Sequence, residues 1–511
     1  MEFPSNYNAA IDMVDRHVEA GRSDKLAFID PKRSITFGEL KANTNQVANM
    51  LEGLGLKRET RVAMLMLDTV DFPAVFWGAI KAGIIPVAIN TLLTAEQYKY
   101  IISDSRAQVL FVSEEIYPTI EAILDELPDL DKTIISGASV GGHDALADLM
   151  DSQSDAYSPV DTSADEIAFW LYSSGSTGMP KGVGHMHTSP MNTAVQFGQG
   201  ILKISESDIC YSAAKLFFAY GLGNGMSFPL SVGATAILLP GRPTPQSVFE
   251  ILKEHQPTLY FGVPTLYAAI LADDSCAPAT GSQALRMCVS AGEALPQEVG
   301  QTWKNKFGVD VVDAVGSTEM LHCFLSNIPG DIRYGTSGKA VPGYEVRLVD
   351  ENDNEVEADE IGELLVNGSS SADAYWNQRE KSRTTFQGFW TRTGDKYFRD
   401  ADGFFHYCGR TDDMFKVSGI WVSPFEVESA LISHESVLEA AVVPKDDGEG
   451  LLKPKAFVIL NSGYDADGLY EMLKDHVKAK IGAWKYPRWI DFVEELPKTA
   501  TGKIQRFKLR D

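Results

Sequence analysis

The chain has 511 residues, too many for one ordinary hydrophobic core, so two or more domains are expected. Its 44% hydrophobic and 23% charged residues are those of a soluble globular protein, and a formal net charge of -25 argues against nucleic acid or an anionic membrane as the main partner. No apolar run approaches the ~18 residues of a membrane span, and the opening Met1-Glu-Phe-Pro-Ser-Asn lacks the basic and apolar regions of a signal peptide. The five cysteines (Cys210, Cys276, Cys288, Cys323, Cys408) are scattered without a Cys-x-x-Cys pair. Neither a zinc site nor a disulfide framework is expected, and a cytoplasmic location fits.

In chain order, Thr36-Phe-Gly-Glu39 reads as a capping box opening a helix whose apolar face runs through Leu40, Val47, Leu51 and Leu54. Val62–Leu67 follows as a buried strand, residues 72–82 as a helix and Ile84–Ile89 as a second strand. Thr94-Ala-Glu-Gln97 is another capping box, and Val109–Val112 a third strand. Strands separated by helices of this length imply right-handed crossovers and a mainly parallel sheet. The pattern resumes after residue 160, with strands expected at Thr235–Leu239, Thr258–Phe261, Leu285–Ser290 and Val309–Asp313. Near residue 340 it changes to short strands, Tyr344–Val349 and Gly362–Asn367, split by the acidic turn Asp350–Asn354, which reads as a small antiparallel β region. Gly409-Arg-Thr-Asp-Asp413 looks like a junction. Beyond it, a helix at Pro424–Ile432, strands at Leu438–Val443 and Lys455–Leu460 and a helix at Asp465–Lys480 suit a compact α+β domain. The expected division is residues 1–411 and 412–511.

The stretch richest in chemistry is Tyr172-Ser-Ser-Gly-Ser-Thr-Gly-Met-Pro-Lys-Gly182, directly after the apolar run Ile167–Leu171. Glycines, hydroxyls and a lysine at a strand end suit a polyphosphate. It is not a Walker A loop, because Gly178 is followed by Met-Pro-Lys-Gly rather than Lys-Ser/Thr. By itself it is equally readable as a flexible surface loop. Four further stretches sit beside strands or turns: Ser290-Ala-Gly-Glu-Ala-Leu295, Val315-Gly-Ser-Thr-Glu319, Thr393-Gly-Asp395 and Pro497-Lys-Thr-Ala-Thr-Gly-Lys-Ile-Gln-Arg506. Each alone reads as a helix start, a turn or a solvated tail. His185 and His187 share His-x-His spacing, but no third ligand is near in sequence, so no metal site is expected there.

Taken together and in order, these stretches resemble the acyl-adenylate-forming superfamily of acyl- and aryl-CoA ligases, adenylation domains and beetle luciferases. The resemblance runs from about residue 24 to the end. Phe217-Phe-Ala-Tyr-Gly-Leu-Gly-Asn224, Gly316-Ser-Thr-Glu-Met-Leu-His322 and the tail Pro497–Arg510 are similar to those of bacterial benzoate–CoA ligases. Val315 departs from the family, which often has an aromatic residue there; adenine would then pack on an aliphatic face. The resemblance implies ATP, Mg²⁺ and coenzyme A as cofactors and cosubstrates, and an aryl carboxylate as substrate. It implies that Ser174, Gly175, Ser176, Thr177, Gly178 and Lys181 hold the β- and γ-phosphates, and that Glu293, Ala294, Asp313, Val315, Gly316 and Ser317 line the nucleotide site. Thr318 would touch the α-phosphate, Glu319 would ligate Mg²⁺, and Asp395 with Arg410 would take the ribose. Lys503 would bridge the substrate carboxylate and the α-phosphate, which makes Lys503, Thr318 and Glu319 the catalytic set. Asp412 matches the hinge about which the small domain rotates, and Ser418, Gly419, Trp484 and Arg488 would meet CoA.

For the acid, the implied lining is Phe218, Ala219, Tyr220, Gly221, Phe261, Ser290, Ala291, Gly292, Gly316 and His322, whose aromatic walls suit a flat ring. The expected activity is AMP-forming benzoate–CoA ligation. A ligase for hydroxy- or aminobenzoate, an aryl adenylation enzyme loading a carrier protein, and a non-catalytic nucleotide-binding protein stay open beside it, as does a homodimer. Lys215, inside an apolar stretch, either reaches solvent or meets an acidic partner.

Overall fold

The two capping boxes form as the sequence dictates. Thr36 accepts the Glu39 amide hydrogen while the Glu39 carboxylate takes the Thr36 amide, starting the helix Phe37–Gly53; Thr94 and Gln97 do the same for Ala95–Ser105. Helices of this kind alternate with strands to build two sheets in a computed structural model of the chain, which describes residues 2–173, 179–417, 420–448, 452–482, 485–498 and 504–510. Nine of the predicted site residues (Ser174, Gly175, Ser176, Thr177, Gly178, Ser418, Gly419, Trp484 and Lys503) lie outside the described residues.

The first sheet has seven strands in the spatial order Asp144–Ala145, Lys132–Ser136, Val109–Ser113, Arg61–Leu65, Ile85–Ala88, Ile167–Ser173 and Lys181–Met186. All its pairings are parallel except the last, where Ile167–Ser173 turns back on Lys181–Met186. The second has nine, with parallel strands Val311–Gly316, Met287–Ser290, Leu259–Gly262, Ile209–Ser212, Thr235–Ile237 and Leu26–Ile29 side by side and antiparallel strands at both edges. Both agree with the expected mainly parallel architecture. Strands covered on both faces read as continuous apolar runs, as Val109–Ser113 does with every residue buried.

Glu345–Val349, Gly362–Asn367, Trp390–Arg399, Phe386–Gln387 and Phe405–Arg410 form a separate five-stranded antiparallel sheet. The last hundred residues give the expected α+β domain. Strands Val437–Asp446, Leu452–Leu460 and Trp489–Phe492 carry helices Pro424–Ile432 and Leu469–Ile481, with Val427, Leu431, Val442, Val458, Leu473 and Val477 between them. Each such side chain contributes about 1.5–3 kcal/mol by leaving water, enough for so small a unit to hold its own core. One buried charge inside the large domain is fully paired. The fully buried Lys81 donates to Asp15 at 2.6 Å, Asn45 at 2.8 Å and Thr44 at 3.0 Å.

Candidate active site

Three chain segments converge on one carboxylate. Strand Ile167–Ser173 ends at Ser173, and Lys181–Met186 begins opposite it, with Ser173 and Lys181 in register. The segment after Val311–Gly316 brings Glu319 between them. Ser173 Oγ donates to Glu319 Oε1 at 3.1 Å, and the Tyr375 hydroxyl donates to the same oxygen at 2.8 Å. Lys181 Nζ lies 4.0 Å from that oxygen and 4.1 Å from the centre of the Tyr375 ring. Burial pushes the Glu319 carboxyl up, but Lys181, Tyr375 and Ser173 outweigh it and hold it below the usual range. Burial lowers the Lys181 ammonium, and Glu319 partly restores it. The strands on either side of the phosphate-loop stretch therefore form an antiparallel pair.

Thr318 and Ser317 sit on the same turn. Ser317 Oγ accepts the Met320 amide at 3.2 Å and the Thr318 carbonyl accepts that of Leu321 at 3.1 Å. The register slips at Val315 and Gly316, which face Leu325 and Cys323. A Cβ on Gly316 would lie 2.5 Å from the His322 carbonyl oxygen, so this bulge closes only on glycine. On the neighbouring strand Ser290 is in register with Asp313. Burial raises the Asp313 carboxyl well above its usual value, and its Oδ2 accepts the Leu295 amide at 3.4 Å. Gly292, at φ +94, turns the chain toward the half-buried Glu293 and Ala294.

Asp395 and Arg410 are register partners on Trp390–Arg399 and Phe405–Arg410. Arg410 Nη1 donates to Asp395 Oδ1 and to the Thr393 carbonyl, both at 3.0 Å, and the Asp395 carboxylate raises the guanidinium further above its usual value. The positive field of Arg410 reaches Lys181 and Glu319, so the ribose and phosphate candidates share one electrostatic neighbourhood.

On the acyl side, the Tyr220 hydroxyl donates to the carbonyls of Val289 at 3.0 Å and Gly262 at 3.3 Å. The His322 ring packs at 4.5 Å from Phe228, 5.2 Å from Phe197 and 5.7 Å from Tyr220. Burial holds its imidazole down at about 3, so it is neutral at neutral pH and its Nε2, 3.3 Å from the Tyr220 carbonyl, carries the proton. Phe218 is half-buried beside Phe217 and Ala219 is buried. Phe261 is fully buried in the core that also holds Ala291 and Met320.

The remaining sequence candidates have partners of their own. The Arg488 guanidinium stacks 3.5 Å from the Tyr486 ring and donates to the Tyr486 carbonyl at 2.8 Å. The Asp412 carbonyl accepts from Arg510 at 3.0 Å. His185 is fully buried between Phe169 and the Thr318 backbone, next to Glu319, and His187 Nδ1 accepts the Ala9 amide at 3.1 Å. Sequence reading missed Ser173 and Tyr375, the two hydroxyls on Glu319. Ser173 lies inside the recognised stretch Tyr172–Gly182 but was given no role, whereas nothing local marked Tyr375.

The chain matches the model of the AMP-binding enzyme over residues 14–376 and of the AMP-binding enzyme C-terminal domain over residues 426–503. It is 56% identical to a 4-hydroxybenzoate–CoA/benzoate–CoA ligase of Rhodopseudomonas palustris, covering 99% of this chain and 94% of that protein. It is 53% identical to a benzoate–CoA ligase of Thauera aromatica, covering 100% and 97%. Among solved structures, an anthranilate CoA ligase in complex with anthranoyl-AMP superposes with a TM-score of 0.95 at 44% identity, over 100% of this chain and 98% of that one. The resemblance expected from the motifs is thus confirmed over the whole length, and the chain belongs to the AMP-binding enzyme family.

Proposed function

We propose that this protein activates an aromatic carboxylate, benzoate foremost, to an acyl-adenylate and then transfers the acyl group to coenzyme A. The observation that carries the reading is the half-buried Glu319 carboxylate, held ionised by Ser173, Tyr375 and Lys181 where the phosphate loop leaves and rejoins its strands. The aryl-CoA ligases similar over the full length support the acid and the acceptor.

A carboxylate is a poor electrophile. Its oxygen attacks the α-phosphorus of ATP, the bond to the leaving pyrophosphate breaks, and an acyl-AMP results. Lys181 and the Ser174–Gly178 loop take the β- and γ-phosphates, Thr318 the α-phosphate, and Asp395 the ribose hydroxyls, with Arg410 holding Asp395 in place. Glu293, Ala294, Asp313, Val315, Gly316 and Ser317 form the adenine side. Lys503 offsets the repulsion between substrate carboxylate and phosphate. Glu319 fits Mg²⁺ because it is an acceptor-only carboxylate beside the phosphate position, and this ion prefers one or two carboxylates with phosphate oxygens completing its shell. Bound there, Mg²⁺ would neutralise phosphate charge.

In the second half-reaction the CoA sulfur attacks the acyl carbon and AMP leaves. Residues 412–511 pivot at Asp412, withdrawing Lys503 and presenting Ser418 and Gly419 to the pantetheine arm, with Trp484 and Arg488 on the nucleotide. Phe218, Ala219, Tyr220, Gly221, Phe261, Ser290, Ala291, Gly292, Gly316 and His322 hold the ring. The setting is cytoplasmic, and light scattering decides between monomer and homodimer.

The test is aroyl-CoA formation from ATP, Mg²⁺ and CoA with benzoate, hydroxybenzoates and aminobenzoates. Benzoyl-CoA is the expected product; thioester on a carrier protein, with none on CoA, overturns the reading. Lys503→Ala should abolish adenylate formation while sparing thioester formation from preformed benzoyl-AMP. Equal loss of both half-reactions rules out the rotation.

A further inference from the structure

Lys215 is a cation in an apolar wall, and its surroundings assign it a task. Its segment follows strand Ile209–Ser212 of the nine-stranded sheet, and residues 218–221 just beyond it are the candidate ring wall. Its Nζ donates to the carbonyls of Leu239, Pro240 (3.4 Å) and Gly241 (2.5 Å), at the end of the adjacent strand Thr235–Ile237. It also lies 4.0 Å from Asp68 Oδ2. The lysine meets an acid rather than reaching solvent, and its side chain is only 13% exposed.

Asp68 belongs to the other sheet, just past strand Arg61–Leu65, and is buried. Both its oxygens accept the Leu216 amide at 3.3 Å. Burial lifts its carboxyl to about 6 against the pull of Lys215, and burial lowers the Lys215 ammonium. Such a pair gains little stability over an apolar one, because desolvation cancels much of the attraction. What it does supply is direction.

The wall hangs from the backbone of the same residue. The Lys215 carbonyl accepts the Phe218 amide at 3.0 Å, and the Phe218 carbonyl that of Leu222 at 2.7 Å. A Cβ on Gly221 would collide with the Lys215 carbonyl and lie 2.5 Å from that of Ala214. Residues 214–215 and 218–221 therefore move as one piece, pinned by a side chain at the seam of two sheets.

We propose that Lys215, through Asp68 and the Leu239–Gly241 carbonyls, is a positioning residue that fixes the Phe218–Gly221 wall and so sets which aryl acids the pocket takes. It never touches the acid. The inference rests on the aryl-acid reading of the preceding section. Its test is pyrophosphate exchange at varied acid and varied ATP for Lys215→Met, Lys215→Arg and the pair Asp68→Asn/Lys215→Met, which leaves no buried charge unpaired if the single variant folds poorly.

In Lys215→Met the KM for benzoate should rise about tenfold or more, with preference for benzoate over ring-substituted acids eroded and KM for ATP within twofold. Lys215→Arg should restore part of the discrimination. The paired variant should keep the Tm while losing the same discrimination. KM values for acid and ATP rising together, or unchanged discrimination in the paired variant, overturn the proposal. A wild-type enzyme that exchanges pyrophosphate with no aryl acid overturns the functional reading instead, a result visible before any variant is made.

Discussion

Tyr375→Phe removes one hydroxyl and nothing else from the centre of the site. The lost contact is a 2.8 Å hydrogen bond onto Glu319 Oε1, while the ring that faces Lys181 Nζ at 4.1 Å is kept. A hydrogen bond to a charged group is worth about 1.5–3 kcal/mol, which converts to roughly 10- to 150-fold. The loss should appear in kcat/KM for ATP, since the affected group is the carboxylate assigned to the nucleotide. Its pH dependence has a definite sign. Burial favours the neutral carboxyl, and Lys181, Tyr375 and Ser173 together hold it below its ordinary value. The ionised form is thus present above the ordinary carboxylate range and is lost only as pH falls through a lower value. Without the tyrosine donor that loss moves to higher pH. Pyrophosphate exchange measured from about pH 3.5 to 8, across the ordinary carboxylate range, should show an acid limb displaced upward in the variant. A profile overlaying the wild type, with kcat/KM within twofold, refutes the role of the hydroxyl.

Gly221→Ala forces the wall to move, because its methyl would stand 2.5 Å from the Ala214 oxygen and closer still to Lys215. A displacement of about 1 Å costs on the order of 100-fold in kcat/KM for the acid. Gly53→Ala, with nothing within 4 Å, should be neutral in the same assay. Acid should destabilise the fold through its buried imidazoles. Burial depresses His17, His185 and His187 to about 4 and His322 to about 3, so between there and about 6.5 the unfolded chain binds more protons. Asp68 and Asp313, raised by burial, act the opposite way and leave a surplus of roughly two protons, about 2.7 kcal/mol per pH near pH 5. The urea midpoint should fall between pH 6.5 and 5; a rising midpoint contradicts the neutral histidines.

Legibility in the sequence followed the range of the interactions. The capping boxes at Thr36 and Thr94 are local and were readable to the residue. So was Pro424–Ile432, where serine at the cap, proline in the first turn and an apolar face agree. Strand Lys181–Met186 was not predicted, since Lys-Gly-Val-Gly-His-Met has two glycines and no clean alternation; its pairing with Ile167–Ser173 is what makes it a strand. The π-helical turns Ala194–Gln199 and Gly223–Ser227 likewise carry no local signature. For the site, ordered motifs delivered Lys181, Glu319, Asp395 and Arg410. The Glu319–Tyr375 contact spans 56 residues and the Asp68–Leu216 contact 148. Contacts of that separation arise from topology, which one sequence does not display.

The company kept by Glu319 makes it an arbiter of assembly. One hydrogen bond reaches it from the seven-stranded sheet at Ser173, and another from Tyr375, on the segment that leads into the antiparallel sheet, while its own backbone carbonyl accepts from Ala372. Local opening of either neighbour would strip a donor from a half-buried carboxylate whose ionisation depends on all of them. Competence for catalysis is therefore a cooperative property of three segments, extinguished by whichever of them opens first. Heat should silence the enzyme several degrees before the bulk of the chain unfolds, and a ligand that bridges these segments would protect activity more than it protects the fold.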